Sequence, residues 1–270
     1  MFRSKGSHFW KKKKIFITGH TGFKGSWLCL MLNYLGAKVT GYSLKPDGSN
    51  VIYEQSSIKK NLTNYYGDIR DKKKLDLCIK KSKPDIIFHL AAQPIVLDSY
   101  KKPQDTFEVN FNGTLNILNA IKKYNIKSSV IVTTDKVYKN KNKGIAFKEL
   151  DELGGDDPYS ASKAAVEILV NSYNFSFFKA KAKVKVATVR AGNVIGGGDR
   201  ANKRILPDFF RCTQTKKTLN VRSANSLRPW QFVLEPLTGY LMIAEANYKK
   251  KIPAHIKQTW NFAPTKNKVY

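Results

Sequence analysis

The stretch that most restricts what this chain can fold into is KIFITGHTGFKGSWLCLMLNYLGAKVTGYS, residues 14 to 43. A β-rich apolar run, Ile15 to Thr18, meets glycines spaced GxxGxxG at Gly19, Gly22 and Gly25. WLCLMLNYLG then reads as a helix stopped by Gly36, and Lys38 to Ser43 resumes strand character. The result is a β-turn-α-β unit of about 30 residues, the context in which a glycine pattern carries weight. A tight turn, a backbone that must approach an anion and a helix that must pack closely on a strand each suit glycine, and an anion there would meet free N–H groups and the positive helix end. A glycine-rich bend without that ligand is the other reading at this stage.

The alternation continues. Asp85 to Leu90, DIIFHL, and Ser129 to Thr134, SVIVTT, are apolar runs fit for buried parallel strands, each preceded by a plausible helix. Between them, residues 104 to 124 place Phe107, Phe111, Leu115, Leu118 and Ile121 at helical spacing. The expected fold class is α/β, a Rossmann-like doubly wound parallel sheet that binds ligands at the carboxyl ends of its strands. After about Val184 the texture changes: KVATVRAGNVIGGGD reads as one more strand running into a glycine loop, followed by scattered Pro and Arg. The expected division is a nucleotide-binding domain over 1–185 and a smaller substrate lobe over 186–270, with some segments returning to the first domain. The closing KNKVY follows an apolar stretch without a terminal helix, so this lobe is expected to be incomplete.

Composition bounds the function classes. With 270 residues and 42% hydrophobic content, a sizeable core is attainable. The net charge of +28 raises nucleic acid as a partner, but lysine supplies most of it, in scattered runs such as Lys11–Lys14, Lys72–Lys74 and Lys249–Lys251. Arginine, which suits bidentate base reading, is sparse. A solvated lysine surface with no specific nucleic-acid partner is expected, binding polyanions only weakly and in a salt-sensitive way. Cys29, Cys78 and Cys212 fit neither a disulfide framework nor a CxxC metal site, which favours a reducing cytoplasm. The N-terminal lysines imitate a signal peptide, but GHTGFKG with its Lys24 interrupts the apolar stretch at once, and no other segment reaches the ~20 apolar residues of a membrane span. A soluble cytoplasmic protein with no membrane partner is expected, and no metal site.

A second motif adds chemistry. In DPYSASKAAVEILV, Asp157 can cap a helix and Pro158 suits its first turn, so Tyr159 and Lys163 stand on one face. An ammonium near a phenol lowers its pKa, letting the phenolate take a proton from a hydroxyl while hydride leaves the same carbon. YxxxK is common by chance, but following SVIVTTD in a chain that opens with GxxGxxG it gains specificity.

Together GHTGFKGSWL, HLAAQP, TTDKVY, DPYSASK, RAGNVIGGGD and RPWQ, in this order, resemble the extended short-chain dehydrogenase/reductase family, in its nucleotide-sugar dehydratase and epimerase group, over essentially the whole chain. The resemblance implies NAD as cofactor, CDP-glucose as substrate, a closed redox cycle in one site and a possible homodimer. Tyr159, helped by Lys163 and Thr134, would take the C4 hydroxyl proton. Asp135 would act as the acid that expels the C6 hydroxyl, which requires burial or a nearby negative charge to keep it protonated. Lys136 stands where relatives acting on dTDP-glucose usually carry glutamate as C5 base; with an ordinary lysine pKa of ~10.4 it could be a base only if depressed, and otherwise would orient substrate or stabilise an enolate. For the cofactor the resemblance implies Gly19, Gly22, Phe23 and Gly25 at the pyrophosphate turn, Asp68 at the adenine amino group with Ile69 beside it, and Ala91 and Ala92 on the nicotinamide side. GYSLKP lacks the acid often found on an NAD ribose, with Ser43 and Lys45 there instead, so NAD over NADP rests on the resemblance alone. For the nucleotide sugar it implies Gln93, Asn193, Arg204 and Arg228, with Trp230 as an aromatic plane, since arginine's planar fork suits two phosphates. His20 is read as filling the turn and His89 as packing. A 4-epimerase with the same Tyr and Lys, or an inactive nucleotide-binding scaffold, are the competing readings.

Overall fold

The computed structural model describes residues 7–48, 50–140, 146–179, 183–221, 225–226, 228–253 and 255–264. The terminal KNKVY lies outside them.

Strands β1 (Lys14–Thr18), β2 (Lys38–Ser43), β3 (Thr63–Tyr66), β4 (Ile86–His89), β5 (Ser128–Val132) and β6 (Lys185–Ala191) join β9 (Thr259–Phe262) in one seven-stranded sheet of order β3-β2-β1-β4-β5-β6-β9. Every pairing in it is parallel. The apolar runs explain why: a strand covered by helices on both faces is apolar at successive positions rather than alternate ones. Ile15, Ile17, Phe88 and Val130 face one layer, where Leu28 and Leu32 of α1 (Phe23–Tyr34) meet Leu237 and Leu241 of a late helix. Phe16, Ile87 and Ile131 face the other, against α2 (Lys72–Ser82), α3 (Gly113–Tyr124) and α4 (Pro158–Tyr173). Each fully buried Ile, Leu or Phe of this kind contributes roughly 1.5–3 kcal/mol, which is what holds the two helix layers on the sheet.

Strand order reverses between β1 and β4, and a crevice opens there at the carboxyl ends of the strands. Local chemistry agrees with the sequence at α4: the Asp157 carboxylate accepts the Ser160 N–H at 2.9 Å, with Pro158 in the first turn. The run 104–124 is not one regular helix. A helix at Pro103–Phe107 leads through a π-helical turn, Glu108–Asn112, into α3. The extra residue of that turn places Asn110 inward, where its side chain accepts the Gln93 N–H at 2.8 Å and donates to Ser162 Oγ at 2.9 Å.

Beyond β6 the chain builds a small parallel pair, β7 (Val194–Ile195) with β8 (Gln231–Phe232), and α5 (Ile205–Thr215). It then returns to the large sheet through α6 (Leu234–Tyr248), which packs on β5 and β6, and β9. A division at 185/186 therefore passes through β6.

Candidate active site

The carboxyl ends of the strands surround one cavity of about 1330 Å³, and every residue assigned a site role from the sequence lines it. A site for one small molecule measures roughly 300–1,000 Å³, so this one has room for two ligands together.

At its inner end lies the glycine turn. Gly19 has φ +75°, and a Cβ there would stand 2.7 Å from the Ala91 nitrogen, because β1 and β4 are neighbours. A Cβ on Gly25 would stand 2.1 Å from the Gly19 carbonyl oxygen, so helix and turn touch backbone to backbone. Gly22 caps α1 without a side chain, which leaves first-turn N–H groups open to a ligand oxygen. The turn thus fits a dinucleotide pyrophosphate by geometry. Two buried histidines brace it. The His89 ring bridges Thr18 Oγ1 at 2.6 Å and Thr114 Oγ1 at 3.0 Å; since the Thr114 hydroxyl donates to the Asn110 carbonyl, His89 Nε2 carries the proton and Nδ1 accepts from Thr18. Thr18 Oγ1 in turn accepts the Leu90 and Ala91 N–H groups. His89 is therefore a polar bridge as well as a packed ring. His20 fills the space beneath the turn, where a Cβ on Gly41 would strike its ring at 2.3 Å.

At the far end of β2, Ser43, Leu44 and Lys45 line the cavity, and Ser43 Oγ hydrogen-bonds Thr21 Oγ1 at 2.8 Å. Asp68 and Ile69 follow β3. The Asp68 carboxylate is engaged by Arg70, whose Nε and Nη2 donate at 3.0 and 2.6 Å and hold it below the usual carboxylate range. It lines the cavity as half of an ion pair, not as a free carboxylate.

Tyr159 and Lys163 stand one turn apart on α4, both buried. Lys163 Nζ donates to the Val132 carbonyl at 3.1 Å. Burial, opposed by Glu167 and reinforced by the like charge of Lys24, brings its pKa down to about 8. The expected lowering of the Tyr159 pKa is not what this structure has: burial pushes it up to about 12, and the Thr134 hydroxyl offsets only part. The reason is that a desolvated phenolate loses more hydration than one hydroxyl returns. Thr134 Oγ1 donates to Asp135 Oδ1 at 3.1 Å, and the backbone N–H of Lys136 donates to Thr134 Oγ1 at 3.4 Å, so Thr134, Asp135 and Lys136 form one short turn at the end of β5.

One residue was missed by sequence reasoning. Lys24, between the second and third glycines, lines the cavity and is biased by Asp135 and Arg204, with its pKa brought down to about 8 by burial. The only signal was a charged residue in the first turn of an otherwise apolar helix.

From the small lobe, Asn193, Arg204, Arg228 and Trp230 complete the wall. The β7–β8 pairing brings RAGN and RPWQ together, with the Gln231 N–H donating to the Asn193 carbonyl at 3.1 Å. Gly192 lets this lobe close on the turn: a Cβ there would lie 2.5 Å from Pro229 Cγ and 3.1 Å from Asp135 Oδ2. Arg204 pairs with Asp199 at 2.8 Å. The Gln93 amide is occupied by its own loop, donating to Thr106 Oγ1 and the Ile95 carbonyl, so it shapes the wall.

A parallel sheet with a glycine turn at its switch point and a Tyr–Lys helix beside it defines a nucleotide-binding oxidoreductase-type fold. The chain belongs to the NAD dependent epimerase/dehydratase family, whose model matches residues 15–257. Within it, the chain is 42% identical to the CDP-glucose 4,6-dehydratase of Salmonella typhimurium over 262 residues, covering 95% of this chain and 72% of that protein. It is 33% identical to a dTDP-D-glucose 4,6-dehydratase of Dictyostelium discoideum, over 77% of this chain and 50% of that one. Among solved structures it resembles an epimerase of Methanothermobacter thermautotrophicus, with a TM-score of 0.82 at 23% identity over 95% of this chain and 73% of that one. A dTDP-glucose 4,6-dehydratase of Bacillus anthracis in complex with NAD has a TM-score of 0.77 at 22% identity, over 94% of this chain and 76% of that one.

Proposed function

We propose that the chain is a nucleotide-sugar 4,6-dehydratase that converts CDP-glucose to CDP-4-keto-6-deoxyglucose and water, using NAD. The observation that carries this reading is that Tyr159 and the Asp135–Lys136 turn open on the same cavity as the glycine turn. A 4-epimerase needs no acid at C6 and has little use for that turn, and the 42% identity to a CDP-glucose dehydratase supports the base.

Gly19, Gly22 and Gly25 hold the cofactor's pyrophosphate, and Ala91 and Ala92 face its nicotinamide. Bound there, the cofactor would supply reversible hydride acceptance, which lets C4 be oxidised and C6 reduced with no net oxidation. Tyr159 takes the C4 hydroxyl proton; the Thr134 hydroxyl and the Arg204 charge favour its ionised form against the larger cost of burial. Asp135 gives a proton to the departing C6 hydroxyl, completing water. Lys136 removes the C5 proton, which the C4 ketone has made acidic, or holds the enolate while solvent takes that proton; a proton returns to C5 when hydride is restored to C6. Arg204 and Arg228 bind the substrate's two phosphates and Trp230 offers a stacking plane, so the β7, β8 and α5 lobe is the nucleotide-sugar end. The setting we propose is the cytoplasm, in supply of sugars for bacterial O-antigen. No helix among the described residues is long and apolar enough to cross a membrane. Tyr100, Phe107 and Ile168 are 63%, 39% and 62% exposed on adjoining helices, which supports a homodimer through that face.

The test is incubation with CDP-glucose and NAD⁺, reading the alkali-induced absorbance of a 4-keto sugar. Product from dTDP- or UDP-glucose and none from CDP-glucose would overturn the base assignment. Tyr159→Phe is expected to lose all turnover, whereas Asp135→Asn still reduces the cofactor and stalls before water is lost. Equal and total loss in both variants would contradict this division of roles.

A further inference from the structure

Behind the cavity, a single buried ion pair reaches both ends of the turn that carries Asp135 and Lys136. Glu167 follows Lys163 by one helical turn on α4, as Lys163 follows Tyr159, so all three share a face. Its side chain is 3% exposed and that of its partner, Arg190 on β6, 1%. Arg190 grips it with two nitrogens, Nε donating to Oε1 at 3.0 Å and Nη2 to Oε2 at 2.9 Å. Thr133 Oγ1 donates to Oε1 at 2.5 Å and Thr188 Oγ1 to Oε2 at 2.7 Å, so both carboxylate oxygens are doubly engaged. The remaining guanidinium nitrogen, Nη1, donates to Tyr138 Oη at 2.7 Å, and the Tyr138 hydroxyl donates to Asn261 Oδ1 on β9 at 2.6 Å. Thr133 and Tyr138 are the residues immediately before and after Thr134–Val137.

We propose that Glu167 and Arg190 are positioning residues that set the elimination turn, Thr134 to Val137, against the Tyr159–Lys163 pair. The inference rests on the dehydratase reading. In that reaction Tyr159 must reach the oxygen on C4 while Asp135 and Lys136 reach C6 and C5 of the same ring, so two groups on different elements share one target. Misplacement by about an ångström can cost on the order of 10²-fold in rate. For stability alone, an apolar pair of equal volume would serve as well or better, since desolvating two charges commonly outweighs their attraction. What the ion pair adds is direction. Its charge-assisted bonds fix the angle between α4, β5 and β6, and two of its outer contacts, Thr133 and Tyr138, are the residues that bracket the turn; the others are Thr188 and the Glu149 carbonyl.

Glu167→Gln leaves Arg190 buried without its counter-charge and is expected to unfold the protein, so the test removes one tether at a time. Thr133→Val and Tyr138→Phe each delete one hydroxyl and keep the ion pair. In the substrate-free protein, amide hydrogen exchange across 134–138 is expected to quicken about tenfold in either variant, with α4 unchanged. With CDP-glucose and NAD⁺, elimination is expected to slow about tenfold relative to C4 oxidation, seen as reduced cofactor accumulating ahead of 4-keto sugar. Unchanged exchange overturns the clamp. Faster exchange with both steps slowed by one common factor shows a purely structural pair and overturns the positioning role. If the parent chain turns nothing over, that counts against the dehydratase reading alone, and the exchange measurement still decides whether the pair holds the turn.

Discussion

Burial shifts two lysines of the site. Lys24 and Lys163 both have pKa values brought down to about 8 by burial, with Asp135 opposing and Arg204 assisting at Lys24, and Glu167 opposing and the Lys24 charge assisting at Lys163. Between about pH 8 and the ordinary lysine value, the unfolded chain binds more protons than the folded one. Stability contributed by these groups therefore rises with pH across that window, while the ammonium forms are lost. We expect kcat/KM to fall above about pH 8 while the urea midpoint holds or rises up to about pH 10. Parallel decline of the two would show unfolding instead. His20 and His89 act at the other end: burial lowers them to about 4 and about 3, so the fold keeps them neutral. The unfolded chain takes up their protons first, and stability is lost as pH falls through about 6.5 toward those values. The urea midpoint should drop between about pH 7 and pH 5, and His89→Gln should lose less over the same step. An equal loss in that variant would remove His89 from the account.

Elements differ in how plainly the chain announces them. Strands β1, β4 and β5 each carry consecutive apolar residues and, apart from Lys14, are buried, so their runs were legible without any partner. Strands β3, TNYY, and β9, TWNF, lie at the two edges and are only half-buried, so they carry no such run and were not anticipated. The π-turn at Glu108–Asn112 was read as plain helix because one added residue barely disturbs the apolar spacing. Its effect is tertiary, since it turns Asn110 onto the Gln93 loop. The glycine turn is legible for the opposite reason: its requirement is steric and local. Gly25→Ala would press a methyl group against the Gly19 carbonyl at 2.1 Å. We expect a destabilisation of about 1–3 kcal/mol and weaker NAD binding by titration, with the loss of binding the larger effect. Unaltered binding would mean that the turn does not cradle the cofactor.

For the whole molecule, charge and association follow from surface composition. A net charge of +28 opposes self-association at low salt, because like charges repel across any interface. Exposed Tyr100, Phe107 and Ile168 on adjoining helices would favour it in the proposed dimer. The parent chain should sediment as a dimer at moderate salt, and Ile168→Glu as a monomer with its thermal transition retained. A monomeric parent would leave those exposed side chains unexplained.

What the sequence by itself determined was local: the alternation of strands and helices, the turn where only glycine fits, and a capped helix with Tyr159 and Lys163 on one face. Each depends on residues within a turn or two of one another, so spacing and composition suffice to read it. Only the tertiary structure decided that Lys24 lines one cavity with Asp135, Tyr159 and Lys163, that Asp68 is committed to Arg70, and that Glu167 and Arg190 pair behind the Thr134–Val137 turn. Those contacts depend on which strands lie side by side and in what register. Strand order arises from how two helix layers pack over one sheet, and no short window of the chain encodes it.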